Sequence, residues 1–268
     1  MLNWPIFNPS NYYFNYNAII PAFVALVLLT IITYVFFKEK KGAASISFII
    51  YCFGKTIWLS GMAIIYSTTN YSIAENISKY YVFFGVAIMP PTYYLLSSSL
   101  LNLKNKKRLI LINYIIAIAF YIVNLKTGYL FTGMKEYSFG YYPIFNTPTS
   151  YIFLLYFYGS VFISFKNLVG NIKLIWPIEE RERAKDIIVG FIILHMCGID
   201  YLPAFGIDIF PYGYIFLIIG FTYIFNARPW VSIKNKLSVK QREGDIFVFD
   251  DNINRITTKH TAEHNYSI

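Results

Sequence analysis

Apolar residues in this chain come in long unbroken runs, and the polar residues gather in short clusters between them. A helix that crosses a bilayer needs about 20 consecutive, mostly apolar residues to span a hydrocarbon core of about 30 Å. By that measure the pattern predicts seven spans, at 17–37, 44–66, 78–100, 109–123, 149–169, 185–202 and 209–227. The fourth is the shortest. Between the fourth and fifth lies a segment at 124–148, "NLKTGYLFTGMKEYSFGYYPIFNTP", rich in Gly, Pro and aromatic rings. It reads either as a lid folded over the bundle or as a plain connector carrying an aromatic belt. From about residue 229 the character changes. "KNKLSVKQREGD" is polar, and "DIFVFDDNINRITT" reads as strand, turn, strand, although two strands alone are not stable in water.

Composition agrees with the pattern. Of 268 residues, 56% are hydrophobic and 14% charged, with a mean hydropathy of +0.48, whereas soluble domains carry about 25% charged residues. The fold class expected is all-α integral membrane. The net charge of +9 does not indicate nucleic acid, because the basic residues sit in loops. Lys38, Lys40 and Lys41 follow the first span, Lys104 to Arg108 the third, Lys173 to Lys185 the fifth, and Arg228 to Arg242 the seventh. The other side carries only Lys79, Lys126 and Lys135. Positive loops stay in the cytoplasm, so the expected topology puts the N-terminus outside and the C-terminus inside, in the cytoplasmic membrane. Trp4, Tyr12, Tyr13 and Tyr16 then fall at the outer headgroup level. The N-terminus has neither a charged n-region nor a small-residue cleavage site, so no cleaved signal peptide is expected. Cys52 and Cys197 fall inside spans and describe no disulfide framework.

Candidate chemistry is sparse. Lys55 sits in the middle of the second span, where a charge costs about 2.5 to 3.5 kcal/mol and usually faces a bundle interior. Tyr51, Cys52, Trp58 and Leu59 share its face. It either braces the bundle or holds an anionic ligand or a carboxylate. Asp200 is the carboxylate that suggests itself. At about 1.5 Å per residue the two lie roughly 16 and 23 Å in from the cytoplasmic ends of their helices, within reach only if those helices are neighbours. His195 lies at a depth like that of Lys55, as hydrogen-bonded packing or as a ligand. In "GIDYLPAFGIDIFPYG", Pro203 should stop the sixth helix and Gly206 permit a turn. Asp208 should cap the seventh, with Pro211 in its first turn. Met89-Pro90-Pro91 should kink the third span and free backbone carbonyls. Tyr93, Tyr94, Ser97, Tyr151, Tyr156 and Ser160 either line an amphipathic pocket or join helices. No catalytic constellation, metal site or cofactor site is expected. His260 and His264 have helical spacing but no supporting ligands, and the last span has no lysine for retinal.

Seven spans with the N-terminus outside, Trp58 in the second span and "GYYP" before the fifth resemble the N-terminal seven-helix sensor region of bacterial histidine kinases, a module also found on diguanylate cyclases. The charged "EERERAKDIIVGFII" and the "DYLPAFGIDIFPYG" joint continue the likeness over about residues 10–230. The resemblance implies an extracytoplasmic segment at 1–16, a membrane sensor domain at 17–228, a cytoplasmic linker at 229–243 and, at 244–268, the opening of a PAS domain. The chain carries no phosphoacceptor region, ATP-binding glycine boxes or cyclase signature, so no enzymatic activity is carried over and the fragment reads as truncated. Implied partners are a small or lipid-like ligand, membrane lipids, a second copy of the chain and a cytoplasmic signalling protein. The expected ligand-binding residues are Lys55, Trp58, Asp200, His195, Tyr93 and Tyr151. The alternative is a small transporter that uses Lys55 and Asp200 as its polar pair.

Overall fold

A computed structural model describes residues 5–39, 42–100, 107–145, 147–175 and 181–227, giving the backbone alone for 5, 171–175 and 181–184. The chain divides into two units, Met1–Trp230 and Val231–Ile268. The second unit lies outside the described residues, and with it the expected linker, the PAS-like fragment, His260 and His264.

Helices dominate. α1 (Tyr16–Lys38) starts where Asn15 accepts the Asn17 N–H at 2.9 Å, satisfying one of the donors that a helix N-terminus leaves unpaired. α2 (Ala43–Ser67) is the most deeply buried of the long apolar helices. Next comes α3 (Tyr71–Asn76), a wider π turn at Ile77–Val82, and α4 (Phe83–Leu100). α4 runs through Pro90 and Pro91 as helix, and an irregular turn precedes it at Ile77–Val82. A π turn interrupts the regular ladder of backbone hydrogen bonds, and in an apolar setting every such group needs a partner. Two partners come from α5 (Lys107–Lys126). Tyr121 donates its hydroxyl to the Tyr80 carbonyl, and Asn124 Nδ2 donates to the Lys79 carbonyl, both at 2.9 Å. These bonds hold a helix that buries only Ala117 and Asn124 along its length.

The segment after α5 is a hairpin of β1 (Gly133–Tyr137) and β2 (Gly140–Ile144), antiparallel with Gly133 opposite Ile144. An isolated two-stranded hairpin is marginal at best; this one is held by what it docks on. Tyr137, Phe139 and Tyr142 are buried. Asn15 Nδ2 donates to the carbonyls of Tyr66 and Phe139, joining α1, the end of α2 and the hairpin. Gly140 has φ +118°, and a Cβ there would lie 2.8 Å from the Tyr66 backbone. Gly140→Ala is therefore expected to loosen the hairpin and cost about 2 kcal/mol, from strain and overpacking together. Faster amide exchange at 133–144 with the helices unchanged is the readout.

α6 (Pro148–Ile175) and α7 (Arg181–His195) follow, then 3-10 turns at Met196–Tyr201 and Pro203–Phe205, and α8 (Tyr214–Asn226). α7 and α8 meet at glycines. A Cβ on Gly190 would lie 2.9 Å from the Gly220 carbonyl, and one on Gly220 2.8 Å from that of Gly190, the close backbone approach that small residues allow between apolar helices. The α-helical part of the sixth span already ends at His195, ahead of Pro203. Gly206 takes the left-handed conformation, φ +90°, that the turn needs.

By length and composition, five helical stretches among the described residues could cross a membrane: Tyr16–Lys38, Ala43–Ser67, Lys107–Lys126, Pro148–Gly170 and Lys185–Phe205. α8 is apolar but shorter. The architecture fits an all-α, multi-pass membrane protein capped at one end by a small hairpin.

Candidate functional site

Lys55 lies on α2, the most deeply buried of the long apolar helices. It is 2% exposed. Its ammonium lies 4.9 Å from the centre of the Trp58 ring, a cation–π contact, and its hydrogen bond goes to Cys197 Sγ at 3.9 Å. Cys197 lies in the 3-10 turn after α7, so α2 and the end of the sixth span do meet through their side chains.

Three residues further on is Asp200, 1% exposed. Its Oδ1 accepts the Gly213 N–H at 2.6 Å, at the start of α8, where the helix presents unpaired donors and partial positive charge. This corrects the expected capping. Asp208 and Pro211 precede α8 instead of opening it, Gly213 is the cap position, and the carboxylate that serves it is Asp200. Local spacing points to Asp208, but the turn brings back a residue thirteen positions before the cap. The Asp200 backbone carbonyl accepts the Tyr142 hydroxyl from the hairpin. Burial pushes the Tyr142 phenol well above its usual range, so this hydroxyl stays protonated and donates. One residue thus joins α7, α8 and β2. Lys55 and Asp200 lie within electrostatic reach of each other. They are not hydrogen-bonded together, and Asp200 Oδ2 has no hydrogen-bond partner.

Tyrosines surround this pair. The hydroxyls of Tyr66 on α2 and Tyr214 on α8 are 2.8 Å apart, and the Tyr214 ring packs edge-on against Trp58 at 5.7 Å. Deeper in the bundle Tyr51 donates to Tyr93 at 2.7 Å. The half-buried His195 ring lies on Tyr93 at 4.9 Å, with Nδ1 against the Phe191 carbonyl. That contact puts the proton on Nδ1. Nε2 is buried without a partner.

Of the six expected site residues, Lys55, Trp58 and Asp200 come together, and Tyr93 with His195 forms an adjoining layer. Tyr151 does not join them. It is half exposed on α6 and stacks on Phe205 at 6.0 Å. Tyr156 and Ser160 join α6 to α5 by hydrogen bonds to Asn113, which is the helix-joining alternative. Sequence reasoning misses Tyr142, Gly213 and the Tyr66–Tyr214 pair. Only "GYYP" marks Tyr142, and it does so without a role.

Under the hairpin, Asp200 forms part of a recess walled by Trp58, Phe83, Tyr142, Phe153 and Phe205. The gap between its walls is narrow, with only about 30 Å³ wide enough to admit a water. Among the described residues no group of three His, Cys, Asp or Glu side chains is placed to hold a metal ion. No family model, curated protein or solved structure matches the chain.

Proposed function

We propose that this protein is a membrane-embedded signal receiver of the kind its sequence resembles. A ligand bound at the hairpin end displaces α8, and α8 carries the change to the chain beyond it. One observation supports this above the others. Asp200 is bonded at once to the hairpin through Tyr142 and to the start of α8 through Gly213, so a shift of the hairpin reaches α8 with no flexible connector between. The positive-loop pattern puts the hairpin outside the cell and the end of α8 in the cytoplasm. Linkage requires that the ligand bind the two arrangements of α8 with different affinities.

The test uses the full chain in lipid nanodiscs, with spin labels on Lys38→Cys and Asn226→Cys. Both sites are accessible at the ends of their helices, and the native Cys52 and Cys197 are buried. Tyr34 and Phe225 already pack at 5.4 Å near these ends of α1 and α8. Tyr142→Phe, which removes the hairpin bond to Asp200, is expected to shift or broaden the label distance at the far end. An unchanged distribution would count against the receiver. Proton uptake by vesicles carrying the wild-type protein, abolished by Lys55→Met, would replace it with the transporter reading.

A further inference from the structure

The class of ligand can be taken further, resting on the receiver reading. Asp200 Oδ2 is a buried acceptor with no partner, on a residue that helps line the recess beneath the hairpin. Trp58, Phe83, Tyr142, Phe153 and Phe205 line the same recess with aromatic rings. A molecule that fits must offer one hydrogen-bond donor to the carboxylate and an apolar body to the rings.

Charge decides which donor. Lys55 and Asp200 are both almost fully buried and of opposite sign, so with both ionised their charges balance before any ligand arrives. An ammonium head would be drawn to Asp200 but would face Lys55 and leave one positive charge in excess in an apolar interior. A carboxylate head would leave one negative charge in excess and would face Asp200. An uncompensated buried charge is strongly unfavourable. A hydroxyl head satisfies Oδ2 and adds no charge.

From this geometry we infer that the recess binds an uncharged amphipathic molecule, a hydroxyl head on Asp200 Oδ2 with a slender apolar chain between the hairpin aromatics and the Phe83 and Phe153 rings. The narrow gap between the walls suits a chain that parts them more than a bulky ring system. Because Oδ1 of the same carboxylate holds the Gly213 N–H, a donor on Oδ2 acts on the group that anchors α8.

The experiment compares three heads on one chain: 1-octanol, octylammonium and octanoate, titrated into the full chain in nanodiscs with protein-free discs subtracted. Trp58 emission reports occupancy in a variant with Trp4, Trp176 and Trp230 replaced by phenylalanine. Octanol is expected to saturate and to bind about tenfold or more tighter than either charged head, since each of those would bury an unbalanced charge. Asp200→Asn should move the preference to octanoate, and Lys55→Met should move it to octylammonium. Equal affinities for the three heads, affinities that follow partitioning into empty discs, or tighter binding of a charged head to the wild type would each overturn the inference. If either variant does not fold, the wild-type order decides alone. The α8 spin labels separate the two claims. Octanol that binds in the expected order without moving α8 refutes the receiver and leaves the ligand class standing. Movement of α8 caused by a charged head refutes the ligand class alone.

Discussion

Asp200→Ala is expected to destabilise the protein by about 3 kcal/mol or more, the largest effect of any single side-chain truncation in this site. Two losses combine. The Gly213 N–H loses a charge-assisted partner at the start of α8, which on its own is worth about 1.5 to 3 kcal/mol. Lys55 is left buried with Cys197 Sγ and the Trp58 face as its remaining contacts. Asp200→Asn keeps an oxygen for Gly213 and removes only the charge, so it should cost less than alanine. Adding Lys55→Met to Asp200→Asn should then recover stability, because an apolar side chain of similar length replaces an unbalanced ammonium. Chemical unfolding of the wild type, the two single variants and the double variant in one detergent provides the double-mutant cycle. Additive costs would mean that the two charges do not sense each other and that the site is a coincidence of packing.

Gly85→Ala is the second large effect, and it acts through backbone. A Cβ at Gly85 on α4 would lie 2.7 Å from the Trp58 nitrogen and 2.8 Å from the Gly54 carbonyl on α2. Neither atom can turn aside as a side chain would, so the helices must separate along the stretch that carries Lys55 and Trp58. The expected collision cost is about 3 kcal/mol, against which alanine recovers only about 1 kcal/mol of helix propensity. Gly54→Ala is the control on the facing helix. Its Cβ would meet Ile88 side-chain carbons at 3.1 Å, and a side chain can give way, so its cost should be near zero. Equal effects from the two substitutions would argue that α2 and α4 are less tightly apposed than the glycines indicate. Trp58 emission should shift in Gly85→Ala alone.

Both expectations bear on how a signal could travel. α2 carries Lys55, Trp58 and Tyr66, and all three meet the part of the chain beyond α7. Lys55 reaches Cys197, while Trp58 and Tyr66 both contact Tyr214. Displacing α2 or α8 therefore disturbs the same set of contacts. The Tyr66–Tyr214 hydroxyl pair makes one of these contacts directional, since it has to keep its donor and acceptor in register.

Much of the architecture is legible from one-dimensional pattern. Long apolar runs broken by Lys-rich loops require helices that satisfy their own backbone, because no other open structure does so in hydrocarbon. Hence α1, α2, α5 and α6 lie close to where the hydropathy puts them, and Lys55 and Asp200 stand out because a charge in such a run is costly. The rest depends on contacts between residues far apart in the chain. The hairpin at 133–144 is not legible as strands, because its stability comes from docking on Tyr66, Asn15 and Pro203 and not from its own sequence. Local rules choose Asp208 as the cap of the last helix. Tertiary structure chooses Asp200, because the turn at Pro203 to Gly213 folds α8 back beneath it. The π turn at Ile77–Val82 has no local signal in the sequence, and it forms where side chains of α5 are at hand to take the carbonyls. By itself the sequence determined which segments are helical and which residues are costly to bury. Only the folded chain decided which of those residues meet, since that depends on close approaches at Gly85, Gly190, Gly213 and Gly220 that no local pattern encodes.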